Sequence, residues 1–262
     1  MSLKAVFFDL DGTLLPMDMD VFIKSYFVAI SKKLAPQGYD PKELVATIWQ
    51  GTKAMIKNDG SKTNEEAFWE SFVAVYGEEK LKDTVYFDKF YEENFDDLKS
   101  VCGFNPKASE VVNYLKEKNI RLVLATNPLF PSIATEKRIA FAGLKPEDFE
   151  FFTSYENISF CKPNIKYYQE VLSRTGLNAE DCLMVGNDVG DDMIAENLGF
   201  KVFLLTDYLI NNDNKQKNTT SFDVVFFICK KSYFLASLLA LMSAAAVKRT
   251  SVEELIPVSI ES

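Results

Sequence analysis

The sequence contains no histidine. That removes Ser-His-Asp and Cys-His catalysis, His-ligated zinc and any imidazole proton shuttle. Acid–base work is left to Asp, Glu, Lys, Tyr or Cys. Cysteine is scarce: the four are Cys102, Cys161, Cys182 and Cys229, and no two form a Cys-x-x-Cys pair, so zinc and thioredoxin-like readings have no support. Free thiols suit a reducing cytosol, and no secretory leader is visible around Lys4, so a cytoplasmic protein is expected. Nor is there an apolar run of the roughly 20 residues that a spanning helix needs. Segment 232–247 comes nearest, small and apolar between Lys230-Lys231 and Lys248-Arg249. It reads as a buried or partner-contacting helix and as a candidate for self-association. Positive charge is also in deficit, with a formal net charge of −9 and a pI near 4.8. This argues against a general nucleic-acid binder and is compatible with carboxylates gathered around a divalent cation.

What is present is an ample core, at 47% hydrophobic residues, arranged in alternating patterns. Short β-rich runs at 5–10, 121–126, 149–154, 182–186 and 201–206 alternate with amphipathic stretches such as 106–118 and 164–175. Such alternation predicts an α/β fold, a doubly wound and mostly parallel sheet with helices on both faces. The continuous apolar triplets Val6-Phe7-Phe8, Leu122-Val123-Leu124 and Leu183-Met184-Val185 are those of strands buried on both faces. Residues 17–100 break the rhythm. They are rich in aromatics and helix formers, with helical patterns at 21–34, 41–56, 64–76 and 84–95 and breaks at Asp59-Gly60 and Gly77. The division expected is therefore an α/β core from 1–16 and 101–262 with an all-helical insertion at 17–100. The insertion's aromatics, Trp49, Phe68, Trp69, Phe72 and Tyr76, have the spacing of a helical core. Residues 211–221 read as a polar surface loop.

Four strand ends carry chemistry. Val6-Phe7-Phe8 runs into Asp9 and Asp11, then Gly12 and Thr13. Carboxylates at the carboxyl end of a strand sit where open α/β sheets bind ligands, and an i, i+2 pair leaves the strand on one side. Residues 121–127 form a second strand ending in Thr126 and Asn127, whose hydroxyl and amide can hold a phosphate oxygen. Cys161-Lys162-Pro163 precedes a helix and presents Lys162 as a point charge. Finally, Leu183–Gly186 leads to Asn187, Asp188, Asp191 and Asp192, with Asp192 placed to cap the helix that follows.

In this order the four motifs resemble those of the haloacid dehalogenase-like (HAD) hydrolases: Asp-x-Asp-Gly-Thr after a strand, a strand ending in Thr, a Lys before a helix, and Gly-Asp with a later Asp. The resemblance implies a Rossmann-like core with a helical cap between the first and second motifs. It implies a Mg²⁺-dependent phosphatase of a small phosphorylated metabolite, with Asp9 attacking phosphorus and Asp11 moving the proton. Thr126, Asn127 and Lys162 would bind the phosphoryl group, and Asp192 would support the site. Mg²⁺ would lie on Asp9, the main-chain carbonyl of Asp11 and Asp188. The chain departs from the motif at Asn187, which follows Gly186 where the pattern often has Asp, so the ligand is either Asp188 or Asn187 with Asp188 behind it. The alternatives are a phosphomutase, a metal-free 2-haloacid dehalogenase, and a non-enzymatic scaffold whose apolar tail docks a partner.

Overall fold

The computed structural model describes residues 3–211. Segment 232–247, Cys229 and all but the first residue of the 211–221 loop lie outside the described residues.

The expected parallel sheet is present. Its strands β1 (Ala5–Phe8), β2 (Arg121–Leu124), β3 (Phe151–Phe152), β4 (Cys182–Gly186) and β5 (Lys201–Leu204) lie in the order β3-β2-β1-β4-β5, every pair parallel. β1 is thus central, with Phe8 in register with Leu124 on one side and Val185 on the other. That register brings the carboxyl ends of β1, β2 and β4 side by side. The apolar triplets are buried on both faces for a visible reason. Val6, Phe8, Leu122, Leu124 and Val185 join one apolar cluster, and Ala5, Phe7, Val123 and Met184 join the other. Helix α5 (Pro106–Glu117) packs Val111, Val112 and Leu115 into the first cluster, while α7 (Ile165–Thr175) packs Tyr167, Tyr168 and Val171 into the second. β3 is shorter than the 149–154 run suggested, because it pairs only with β2 at the sheet edge.

Between β1 and α5 the chain forms α1 (Met19–Leu34), α2 (Pro41–Ile56), α3 (Asn64–Tyr76) and α4 (Thr84–Glu93). Three of these starts have a local cause, while α4 begins after Asp83 with no side-chain cap. Asp18 accepts from the Val21 N–H at 3.1 Å, Asp40 from Lys42 and Glu43 at 3.0 Å with Pro41 in the first turn, and Thr63 forms a capping box with Glu66. The Asp18 cap starts α1 two residues before the expected position 21. The segment's two connections run side by side: Met17 bridges Cys102, and the Gly103 N–H donates to the Pro16 carbonyl at 2.7 Å. A further tie lies at the start of α3. Asn64 is fully buried and its amide donates to the Pro128 carbonyl at 3.3 Å, while its own N–H donates to Ile158 at 3.0 Å. One apolar cluster runs unbroken from Phe22 and Phe90 in this segment to Phe8 and Leu124 in the sheet.

One helix escaped the sequence reading. α6 (Ser132–Phe141) follows the loop after β2, and Pro131 at its start offers no side-chain cap. The cap comes from Glu156, whose carboxylate accepts from the Ser132 N–H at 2.8 Å and its hydroxyl at 3.1 Å. A cap supplied from 24 residues away leaves no trace in the local sequence.

Candidate active site

Six of the expected residues come together at the carboxyl ends of β1, β2 and β4. Asp9, Thr126, Lys162, Asn187 and Asp192 are all buried, and Asp11 lies beside them. The Lys162 side chain is 1% exposed and sits between two carboxylates, 3.0 Å from Asp9 Oδ1 and 2.6 Å from Asp192 Oδ1. Burial works against its charge, but Asp192 and Asp9 outweigh burial and hold the ammonium well above its usual range. Its main-chain N–H donates to Asn127 Oδ1 at 3.3 Å, which links the second and third motifs. The turn before α7 that presents it contains a cis Lys162–Pro163 peptide.

Asp192 does not cap the following turn, which is a 3-10 helix (Met193–Leu198). Its two oxygens are taken instead by Lys162 and by the Asp188 N–H at 3.0 Å. A buried ammonium competes more strongly for a carboxylate than an exposed turn of N–H groups does. Gly186 makes this possible: a Cβ there would collide with the Asp192 carboxylate.

The fourth motif resolves into two different roles. Asn187 is buried; its amide nitrogen donates to the Tyr208 carbonyl at 2.6 Å. A carbonyl only accepts, so this contact orients the amide and turns Oδ1 toward the Thr13 hydroxyl, which donates to it at 3.0 Å. The same hydroxyl lies 3.3 Å from Asp9 Oδ2. Thr13 therefore bridges Asn187 and Asp9. Gly12, at φ 84°, keeps the chain clear of that amide. Asp188 lines the same cavity, but its Oδ1 accepts from the Gly190 and Asp191 N–H groups at 2.7 and 2.9 Å, folding it onto its own loop. Asp191 faces Asn127 at 3.3 Å; burial pushes its carboxyl up to about 6, with Asp188 and Asp9 adding to the effect against Lys162.

Thr126 places its carbonyl under the Tyr167 and Thr153 hydroxyls, at 2.9 and 2.6 Å, and lines the cavity over Asp9. Asp11 carries a partner that the sequence reading missed. Arg138, from α6, is 2% exposed and donates to Asp11 Oδ2. Its guanidinium also lies 4.8 Å from the centre of the Phe130 ring and donates to the Thr135 hydroxyl at 3.2 Å. Burial pushes the Asp11 carboxyl up to about 6 against the pull of Arg138; the Asp9 charge raises it further and Lys162 lowers it. Asp11 Oδ1 is buried with no hydrogen-bond partner among the described residues. The available signal for Arg138 was a cation on the same helical face as Ala134 and Phe141, where a buried charge needs a partner.

The groups that line the cavity with Asp9 offer oxygen donors, among them the Asp9 and Asp188 carboxylates and the Asn187 amide. Among the described residues no cluster of three or more Asp, Glu or Cys side chains could cage a metal. Oxygen donors with one or two carboxylates among them suit Mg²⁺, which keeps several waters beside substrate phosphate.

A cavity of about 330 Å³ opens from these residues. Its outer wall comes from α1–α4, including Ile48, Trp49, Phe68, Trp69 and Phe87. Trp49, Phe68 and Trp69 are therefore cavity-lining as well as packing residues, whereas Phe72 is wholly core.

A sequence model of the haloacid dehalogenase-like hydrolases matches residues 3–215. The glyceraldehyde 3-phosphate phosphatase of Methanothermobacter thermautotrophicus is 28% identical over 229 residues, 85% of this chain and 95% of that protein. Pyrophosphatase PpaX of Halalkalibacterium halodurans is 24% identical over 205 residues, 77% of this chain and 82% of that protein. Among solved structures, a HAD phosphatase from Thermococcus onnurineus superposes with a TM-score of 0.53 at 17% identity, covering 90% of this chain and 98% of that one. That structure shares the fold.

Proposed function

Because the chain belongs to the haloacid dehalogenase-like hydrolase family and is a phosphoric monoester hydrolase within it, we propose that it cleaves a small phosphorylated metabolite through an aspartyl-phosphate on Asp9. The observation that carries this is the buried triad Asp9–Lys162–Asp192 at the end of the central strand. A carboxylate nucleophile repels an anionic ester unless a cation stands beside it, and Lys162 supplies that cation.

In this reading Asp9 attacks phosphorus in line and the leaving oxygen takes a proton from Asp11. Water then attacks the aspartyl-phosphate and gives a proton back to Asp11. Asp11 suits the task because one oxygen is fixed by Arg138 while the other is unpartnered. Thr126, Lys162 and Asn127 bind the transferring group, and Asp192 holds Lys162 in place. Asp9, the main-chain carbonyl of Asp11 and Asn187 would hold Mg²⁺, with Asp188 behind them rather than in the place first expected for it. Held by these residues, the cation would supply neutralisation of charge on the phosphoryl oxygens. The helices of 17–100 form a cap over the site. No helix among the described residues is long and apolar enough to cross a membrane. The free thiols of Cys102, Cys161 and Cys182 support a cytoplasmic placement.

The test is inorganic phosphate release from a panel of phosphomonoesters, with Mg²⁺, with Ca²⁺ and with EDTA. Release that needs Mg²⁺ and fails with chelator or Ca²⁺ supports the reading. Halide release from a 2-haloacid in chelator would establish the dehalogenase instead, and transfer between sugar positions without free phosphate would establish the mutase.

A further inference from the structure

We infer that the substrate is a phosphomonoester with an apolar or aromatic leaving group and no anion remote from its phosphate. The inference rests on the phosphatase reading above and names the substrate class of that same site.

The cavity over Asp9 is continuous with a wall built by the helical segment. That wall presents Ile23, Phe27, Ile48, Trp49, Trp69 and Phe87. Its polar atoms are largely committed. The Tyr26 and Tyr91 hydroxyls bond to each other at 3.0 Å, and the Thr52 hydroxyl donates to the Ile48 carbonyl at 2.9 Å. A polyol such as a sugar would therefore leave most of its hydroxyls unpaired here, which is unfavourable in a buried site. At the mouth Trp49 is 44% exposed, its ring 5.4 Å from Phe27 and tilted to it. A large aromatic left open beside a nucleophile offers area to a ligand at little ordering cost.

Charge narrows the class further. Among the described residues, the cations lining the cavity are Lys162 and Arg138. Both are closed on carboxylates, Lys162 on Asp9 and Asp192 and Arg138 on Asp11. The helical segment contributes one charged residue to the lining, Asp88, and it is acidic. Burial, Glu92 and Glu156 all raise the Asp88 carboxyl, so it sits in an already negative surrounding. A carboxylate or second phosphate on the leaving group would meet no free cation and one anion. This separates the chain from the relative named for pyrophosphate, and the committed hydroxyls of the wall separate it from the one named for glyceraldehyde 3-phosphate.

The experiment compares kcat/KM for alkyl phosphates of similar leaving-group basicity: 2-phenylethyl phosphate, glycerol 3-phosphate and phosphoglycolate, with acetyl phosphate as a general probe of turnover. The expected result is a preference for 2-phenylethyl phosphate of about tenfold or more over the other two. Trp49→Ala should shrink that ratio, and Asp88→Lys should raise turnover of phosphoglycolate. Both tryptophans of the chain, Trp49 and Trp69, line the cavity. Their fluorescence should therefore respond to 2-phenylethylphosphonate at lower concentration than to phosphonoacetate, independently of turnover. Equal or better turnover of phosphoglycolate or glycerol 3-phosphate, or a ratio unchanged in Trp49→Ala, overturns the inference and leaves the phosphatase reading standing. No phosphate from any of these esters or from acetyl phosphate brings down that reading and the inference with it.

Discussion

Arg138 reaches from α6 to the carboxylate of Asp11, a partner 127 residues away in the chain, and both side chains are almost wholly shielded from water. The pair joins the element after the second strand to the loop after the first. It fixes one Asp11 oxygen and leaves the other unpartnered. Because both charges are buried, removing one strands the other.

Arg138→Met is therefore expected to destabilise the fold by about 3 kcal/mol, the lower end for breaking a buried pair. Urea unfolding followed by circular dichroism measures this. Arg138→Lys should recover part of the stability but less of kcat, since an ammonium cannot hold both Asp11 and the Thr135 hydroxyl as the guanidinium fork does. Equal kcat in Arg138→Lys and the parent would remove the positioning role.

Asp9→Asn should abolish phosphate release, by about six orders of magnitude, as loss of a nucleophile does elsewhere. The fold should persist, because Lys162 keeps Asp192 as its partner and the amide is nearly isosteric. Phosphate release read beside the circular dichroism spectrum checks both halves. Activity within tenfold of the parent contradicts the assignment.

Asn187→Ala should raise the Mg²⁺ concentration for half-maximal activity by about tenfold, and by more than Asp188→Ala does. The reason is the Thr13 hydroxyl, which places the Asn187 oxygen beside Asp9, whereas Asp188 is folded onto Gly190 and Asp191. Asn187→Asp should tighten Mg²⁺ by adding a charge. Calorimetric titration of Mg²⁺ gives the order directly, and a larger shift in the Asp188 variant would restore Asp188 as the ligand.

Gly186→Ala should cost about 1–3 kcal/mol from overpacking alone and should also lower activity. Its Cβ would displace the Asp192 carboxylate and, with it, the anchor of Lys162. The check is a paired measurement: thermal unfolding for the first effect, and KM against kcat for the second.

Much of the site could be read along the chain because strand-end chemistry is local. An apolar run that ends in Asp9 and Asp11, another that ends in Thr126, and a lysine before α7 each carry their meaning within about ten residues. Parallel pairing then brings such ends to one edge of the sheet. The helical segment was equally legible, since Asp40-Pro41 and Thr63 with Glu66 mark helix starts by bonds to their own backbone. α6 was not, because its cap is Glu156, and Arg138 was not, because a buried charge is explained only by a partner that folding brings to it.

The linear order of residues was enough to establish the alternation of strands and helices, the placement of Asp9 at the end of a buried strand, and the family to which the four motifs point. Periodicity and strand-end polarity act between near neighbours, so they are written in the chain. Which oxygen of the fourth motif faces Asp9, which carboxylate anchors Lys162, and which aromatics of the helical segment open onto the site were settled by packing. Thr13, Tyr208 and Gly186 decide them through contacts between distant segments, and such contacts exist only once the strands are in register.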